Sequence, residues 1–204
     1  MSISLTQIEH ILSHHRPRKR RLRAILRRSA VAMILRERDG EAEILMIKRA
    51  EHPGDPWSGH MAFPGGRMEP EDRHGLDVAV RETREEIGVS LDADDPCIGR
   101  LSELMTHWQL RRRPMIVSPF IFRLDREVSF EPNHEVAEVI WIPMSFLCNR
   151  DNRQIMHWHR GKVPIPLPCY YYEGRRVWGL SLMMLDELLA LLPGGAAALT
   201  ADRG

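Results

Sequence analysis

The sequence predicts an α/β domain in which helices and strands form separate layers. Two apolar stretches, residues 30–36 and 43–49, flank Arg-Asp-Gly at 38–40 and have the composition of a β-hairpin. Apolar residues recur at helical spacing in residues 76–88 and 179–192, and strand-like stretches lie between these two helices. Strands and helices do not alternate regularly, so a layered α/β arrangement is favoured over a doubly wound sheet.

The other elements follow from the same periodicities. Residues 4–14 form an amphipathic helix, because Leu5, Ile8, Ile11 and Leu12 share one stripe. A loop rich in Pro and Gly, residues 52–75, leads to the helix at 76–88, which Gly88 ends. Further along we expect strands at 97–104, 115–123 and 136–142, a turn at 149–153, and an extended edge segment with Pro164, Pro166 and Pro168.

Composition excludes several classes of protein. The chain has 204 residues, of which 43% are hydrophobic and 28% charged, so one domain can bury a core and overall disorder is excluded. No apolar run approaches the roughly 20 residues that span a bilayer, so we expect no membrane insertion. The three cysteines form no C-x-x-C pair and the first residues do not resemble a secretory signal, which favours a cytoplasmic protein.

Basic residues are concentrated at the beginning of the sequence. Residues 1–29 hold eight Lys or Arg and one acid, Glu9, whereas the remainder is mildly acidic. We therefore expect a basic N-terminal helix or arm (1–29), a main domain (30–192) and a loose C-terminal tail (193–204). The arm is either a solvated segment that packs against the acidic body, which we favour, or a contact for phosphate, nucleic acid or a membrane surface.

Three glutamates crowd one face of the helix predicted at 76–88. Glu82, Glu85 and Glu86 stand at i, i+3 and i+4, within an arc of about 100°. Arg81 can pair with Glu85 and with Asp77, which leaves Glu82 and Glu86 less compensated. Carboxylate oxygens on one helical face suit Mg²⁺, although such a face is also commonly just solvated. The preceding Gly-Gly pair favours the metal site, because it lets the backbone approach a ligand closely.

Residues 63–89 resemble the Nudix box, which reads G, five residues, E, seven residues and R-E-U-x-E-E-x-G-U, with U apolar. From Arg81 the sequence reads R-E-T-R-E-E-I-G-V, with Thr83 at an aliphatic position. Asp72 replaces the first Glu, and its spacing to Arg81 is one residue longer. With the preceding F-P-G-G, this expansion is similar to the coenzyme A pyrophosphatase branch. Four further stretches extend the resemblance over about residues 30–192: L-M-I-K-R-A, I-V-S-P-F, N-H-E-V-A-E-V-I-W-I-P and V-W-G-L-S.

The resemblance implies a Nudix-type α/β/α sandwich with a mixed sheet. It also implies an enzyme that hydrolyses the diphosphate linkage of a nucleoside diphosphate derivative with Mg²⁺ or Mn²⁺. Coenzyme A or an acyl-CoA is the first expected substrate, and an ADP-sugar or a dinucleotide is the second. The alternatives are a non-catalytic Nudix module that binds a nucleotide or RNA, and a nucleic-acid-binding protein that uses the basic arm. A homodimer is compatible with the sequence.

Individual residues take roles from the same resemblance. The expected principal metal ligands are the carboxylates of Glu82 and Glu86, and Glu85 assists them. The backbone carbonyl of Gly66 and an acid from a later loop, Glu135, complete the expected ligand set. Arg81 orients the glutamates. Glu135 is also the expected proton acceptor, with Glu138 as its alternative.

Substrate contacts are expected from Arg49, Phe63 and Arg67. In the branch an Arg follows the R-S/A segment, but here no Arg falls between Arg49 and Gly59. Two further sets of residues are open to either of two interpretations. Arg111–Arg113 hold a terminal phosphate or form a charged hairpin tip, and Trp57 and Trp108 stack on a base or pack in the core.

Overall fold

The computed structural model describes residues 3–54, 57–106, 114–160 and 163–193. The helices are α1 (Leu5–His14), α2 (Gly75–Ile87), α3 (Met144–Cys148) and α4 (Gly179–Leu191), with 3-10 turns at Arg21–Ala24 and Arg150–Asn152. The strands are β1 (Arg27–Arg38), β2 (Glu41–Arg49), β3 (Met61–Ala62), β4 (Gly65–Arg67), β5 (Cys97–Arg100), β6 (Leu104–Met105), β7 (Met115–Arg123), β8 (Val136–Pro143), β9 (Arg153–Arg160), β10 (Val163–Tyr172) and β11 (Arg175–Val177).

Eight strands form the main sheet, whose central order is β3-β2-β1-β7-β5. Strand β1 pairs with β7 in parallel, and the other pairs are antiparallel, with β4 on β1, β6 on β7 and β8 on β2. The predicted mixed sheet is therefore confirmed.

Alternating side chains of the central strands face two separate cores. Along β1, Met33 and Leu35 enter one cluster, whereas Ala32 and Ile34 enter the other. The first cluster, the α1–α4 core, contains apolar residues of both terminal helices: Leu5, Ile8, Leu12, Leu182, Leu185 and Leu188. The second cluster, the α2 core, lies under the other face: Val78, Ala79, Ile87 and Val89. Helices thus cover both faces of the sheet, which confirms the α/β/α sandwich.

The predicted hairpin is present, but its first strand is longer than the sequence indicated. Asp39 and Gly40 both have positive φ, 52° and 75°, which matches a two-residue turn between Arg38 and Glu41. Strand β1 begins at Arg27, before the predicted residue 30, because it pairs in parallel with Met115 and the residues that follow.

The strand predicted at 97–104 is interrupted. It consists of β5 and β6, because the backbone N–H groups of Ser102 and Glu103 bond outside the sheet. Ser102 N–H donates to Glu187 (2.9 Å), and Glu103 N–H donates to the carbonyl of Arg18 (2.9 Å). The first bond joins this segment to α4, and the second attaches the chain after α1 to the main domain.

A second, three-stranded sheet has the order β11-β10-β9, and the sequence did not predict it. The three prolines of β10 lie opposite β9, while β11 pairs only with Tyr170–Tyr172. In the described part of the chain, the proline stretch of β10 therefore pairs with a strand on one side only. This agrees with the extended edge segment predicted from the sequence. No described helix is both long and apolar enough to cross a membrane.

Candidate active site

Arg81 lies at the centre of a network that joins Asp72, Arg67, Glu82 and Glu85. Its guanidinium donates to both oxygens of Asp72 (3.3 and 3.0 Å) and to the carbonyl of Arg67 (2.9 Å). It also lies 3.0 Å from carboxylate oxygens of Glu82 and Glu85. A single cation thus joins the loop before α2 to two of the three glutamates.

The sequence assigned Arg81 the wrong aspartate. Asp77 instead accepts the backbone N–H groups of Arg73 and His74, which lie just before α2, at 3.0 and 3.3 Å. Asp72, whose side chain is 4% exposed, takes the place beside Arg81. Hydrogen bonds from Arg81 lower the pKa of Asp72, although its burial opposes that effect. Asp72 stands where the Nudix box has its first Glu, and this position could have identified Asp72 as the partner of Arg81.

Glu86 is the most deeply buried of the three helical glutamates, at 4% exposure. Its carboxylate accepts the backbone N–H of Gly65 (2.9 Å). Burial raises the pKa of Glu86 to about 8, and the negative charges of Glu82 and Glu135 act in the same direction. Arg49 and the Gly65 N–H partly oppose this rise. The negative charge of Glu86 is therefore only partly compensated within the protein, so that without a cation its carboxyl group keeps its proton up to about pH 8.

Glu82 lies against the backbone of β4. A Cβ atom on Gly66 would overlap the Glu82 carboxylate, so glycine at this position lets Glu82 keep the place it has in the structure. Burial raises the pKa of Glu82, while the neighbouring Arg81 opposes the rise. The carboxylates of Glu82 and Glu86 thus both border the Gly65–Gly66 backbone, as the sequence suggested.

Glu135 is brought toward these glutamates by the loop that precedes β8. The N–H groups of Glu131 and Asn133 donate to the carbonyls of Ile87 and Glu86, both at 2.9 Å, which attaches the loop to the end of α2. The Asn133 side chain in turn accepts the N–H of Glu135 (2.8 Å). Glu135 itself is exposed, and its charge raises the pKa of both Glu82 and Glu86.

Glu138 has other partners. It lies in β8 opposite Lys48, whose ammonium is 3.0 Å from its carboxylate, and it also pairs with Arg175 at 2.6 Å. These hydrogen bonds lower the pKa of Glu138. The two cations neutralise Glu138, which favours a structural role for it and leaves Glu135 as the acid that faces the helical glutamates.

The three expected substrate contacts differ in accessibility. Arg67 is exposed on β4, and Arg49 is half-buried at the end of β2. Phe63 is 4% exposed and packs in the α1–α4 core, so it presents little surface to a substrate. Trp57 is 41% exposed, which does not fit the core interpretation. Trp108 and Arg111–Arg113 lie outside the described residues.

The donor set suits a hard divalent cation. Glu82 and Glu86 offer carboxylate oxygens beside one stretch of backbone, and the charge of Glu135 acts on both, so a cation would relieve their mutual repulsion. Within the described ranges, no group of three or more Asp, Glu, His or Cys side chains is placed so that it could hold a metal ion. Two carboxylates beside one backbone stretch are compatible with Mg²⁺, which binds proteins through few carboxylates and completes its shell with water and substrate phosphates.

The fold and this cluster define a Nudix hydrolase. A model of the NUDIX domain matches residues 26–161, and the chain belongs to this family. It is a pyrophosphohydrolase that acts on diphosphate linkages.

Two curated relatives and one solved structure extend the comparison. The human mitochondrial coenzyme A diphosphatase NUDT8 is 30% identical over 177 residues, which cover 86% of this chain and 73% of that protein. The Nudix hydrolase NudL of Yersinia enterocolitica is 27% identical over 149 residues, covering 72% of this chain and 73% of that protein. A MutT/nudix family protein of Enterococcus faecalis shares the fold, with a TM-score of 0.50 and 15% identity, over 88% of this chain and 63% of that one.

Proposed function

We propose that this protein is a Mg²⁺-dependent diphosphatase of coenzyme A or an acyl-CoA. The observation that supports the catalytic part is that the Glu82 and Glu86 carboxylates lie against the Gly65–Gly66 backbone, where the charge of Glu135 acts on both. Glu86 is buried with an incompletely compensated charge, and such a group is costly unless a cation or a proton neutralises it.

In this proposal the chain's own residues hold the metal and position the reactants. Glu82 and Glu86 are the principal ligands, with Glu85 and the Gly66 carbonyl assisting. A bound divalent cation would neutralise the diphosphate oxygens and make an attacking water more acidic. Arg81 fixes the direction of the Glu82 and Glu85 carboxylates through its bonds to both. Exposed Glu135 accepts the proton of the attacking water.

The substrate class rests on similarity. The relative that is 30% identical is named as a coenzyme A diphosphatase, and the F-P-G-G segment and expanded box agree with that branch. The segment between Arg49 and Gly59 lacks the branch's Arg. We therefore expect weaker discrimination between coenzyme A and other ADP-containing diphosphates, because a bidentate Arg–phosphate contact is worth about 1.5–3 kcal/mol.

A product-release assay on coenzyme A, an acyl-CoA, ADP-ribose and a diadenosine polyphosphate tests the proposal, with and without Mg²⁺. We expect hydrolysis of coenzyme A only with the metal, and a modest ratio of its kcat/KM to that of ADP-ribose. Glu82→Gln and Glu86→Gln should each lower kcat by at least about 100-fold. The matched control is Glu127→Gln, an exposed acid outside the cluster. Metal-independent turnover, or full activity of Glu86→Gln at saturating Mg²⁺, would contradict the proposed site.

A further inference from the structure

The segment 16–28 is the most basic part of the chain. It holds eight Lys or Arg and neither an acidic nor an aromatic residue. Arg18, Lys19 and Arg21 are exposed, and no ion pair within the described part of the chain neutralises them. The catalytic cluster described above uses none of these residues.

Both ends of this segment are fixed to the domain. The N–H groups of Arg18 and Arg20 donate to side-chain oxygens of Ser102 (3.0 Å) and Glu103 (2.7 Å). At the other end, Arg27 begins β1 and pairs with β7. The intervening residues 21–26 therefore form a surface arch between two attachment points, rather than a free tail.

Ile25 lies in this arch, and 77% of its surface is exposed. No other large apolar side chain that the structure describes is more exposed. A fully exposed aliphatic side chain is unfavourable in water, and its transfer to an apolar phase is favourable. A single exposed apolar residue on an ordinary surface needs no explanation. Here, however, the apolar side chain lies inside the most basic segment of the chain.

We propose that residues 16–28 dock the protein on an anionic phospholipid surface. Clustered Lys and Arg are attracted to acidic headgroups, while Ile25 enters the boundary between headgroups and acyl chains. Nucleic acid fits this surface less well. Single-stranded nucleic acids are bound by basic grooves with aromatic stacking residues, and the segment has none. The proposal does not depend on the proposed function, because it concerns binding and not turnover.

Flotation of the full chain with vesicles tests the proposal. One vesicle is pure phosphatidylcholine, and the other contains about 30 mol% phosphatidylglycerol. We expect partition to the anionic vesicles at least about tenfold stronger than to the neutral ones, and weaker at about 0.5 M than at about 0.1 M salt. Equal binding to both vesicles, or binding to neither, overturns the proposal.

Substitutions separate docking from nonspecific charge attraction. Ile25→Ser should weaken partition to anionic vesicles about tenfold, and Ile25→Trp should strengthen it, since Trp favours the membrane interface. Ile155→Ser, at a 58% exposed position in β9, is the matched control and should change nothing. The double substitution Lys19→Glu with Arg21→Glu should abolish binding. Full binding by Ile25→Ser, or displacement of the vesicles by a single-stranded RNA oligonucleotide at equal concentration, overturns the assignment to a lipid surface.

Discussion

Arg81 donates two hydrogen bonds to Asp72, a nearly buried aspartate nine residues earlier in the chain, at 3.3 and 3.0 Å. The same guanidinium contacts Glu82 and Glu85. Asp72 thus fixes the cation that in turn fixes two carboxylates of the cluster. Asp72 therefore acts through Arg81 as a positioning residue.

Asp72→Asn should lower both stability and turnover. The substitution keeps the shape of the side chain but removes the charge that Arg81 faces in a partly buried place, and we expect a loss of about 2 kcal/mol in the free energy of unfolding. We also expect kcat to fall about tenfold with little change in KM, because Arg81 then holds the glutamates less firmly. Chemical denaturation and steady-state kinetics measure the two effects.

The control for this prediction is Asp77→Asn on the same helix. Asp77 bonds to N–H groups before α2 and to Arg73, without contact to Arg81. It should lose about 1 kcal/mol of stability as an altered helix cap while keeping kcat. An equal fall of kcat in both variants would mean that helix stability, and not the Arg81 contact, controls activity.

The Asp72–Arg81 pair should also make stability depend on pH in acid. The pKa of Asp72 is lowered in the folded protein, so the unfolded chain binds its proton at a higher pH. The pair's contribution is therefore complete above the ordinary aspartate pKa of about 4 and is lost as pH falls further, through the lowered value. In thermal unfolding, the wild type should melt at a higher temperature than Asp72→Asn, by a constant difference from pH 7 to about 5. This difference in melting temperature should disappear as the pH falls below about 4. A difference in melting temperature that does not change with pH would show that the ionised state of Asp72 does not stabilise the fold.

Local features of the site were predictable from the sequence, and contacts between distant segments were not. Helical periodicity alone placed Glu82, Glu85 and Glu86 on one face, because that face is set within two turns of helix. The same rule correctly paired Arg81 with Glu85 but wrongly with Asp77, since Asp77 bonds to N–H groups at the beginning of the helix. The family pattern pointed to Glu135, but its approach to α2 depends on hydrogen bonds of Asn133, which leave no periodic signal.

The same limit applies to the fold. The hairpin turn was readable because Asp-Gly accepts positive φ at both central positions. The beginning of β1 could not be predicted, because its partner strand β7 lies far along the chain. Its basic residues are also not typical of a strand. The three prolines of β10 indicated an edge strand, because proline has no N–H group to donate. They gave no sign that the other side of β10 pairs with β9 and so forms a second sheet.

Glu86→Gln should stabilise the metal-free protein at alkaline pH. Burial raises the pKa of Glu86 to about 8, so between the ordinary glutamate pKa and pH 8 the folded state holds a proton that the unfolded state has lost. The free energy of unfolding therefore falls as pH rises through this range, and glutamine removes that dependence. We expect the variant to be about 2–4 kcal/mol more stable than the wild type at pH 9 in EDTA.

Metal should reverse this order. With saturating Mg²⁺ the wild type gains binding free energy that Glu86→Gln largely lacks, so its melting temperature should rise more. The measurement is thermal unfolding of both proteins in EDTA and in Mg²⁺. If Mg²⁺ shifts both melting temperatures equally, Glu86 is not a ligand.

Gly66→Ala should impair catalysis by displacing Glu82. The added Cβ would overlap the Glu82 carboxylate, so either that side chain or β4 must move. A displacement of about 1 Å at a metal ligand lowers kcat about 100-fold. The control is Gly40→Ala in the hairpin turn, where the added Cβ meets no atom within 4 Å and only the positive φ is unfavourable. Gly40→Ala should lose about 1 kcal/mol of stability and keep its kcat, whereas normal kcat in Gly66→Ala would show that Glu82 tolerates displacement.

Glu135→Gln should lower kcat more than it raises KM. Glu135 is exposed beside Glu82 and Glu86, where a carboxylate can take the proton of an attacking water, and this interaction matters most in the transition state. Glu138→Gln should instead weaken the pairs with Lys48 and Arg175, lowering stability slightly while kcat is kept. Steady-state kinetics of both variants at saturating Mg²⁺ separates the two acids. The reverse result, full kcat in Glu135→Gln and loss in Glu138→Gln, would transfer the role to Glu138. Normal kcat in both would assign the proton to a glutamate of α2, and Glu135 would then have no part in the reaction.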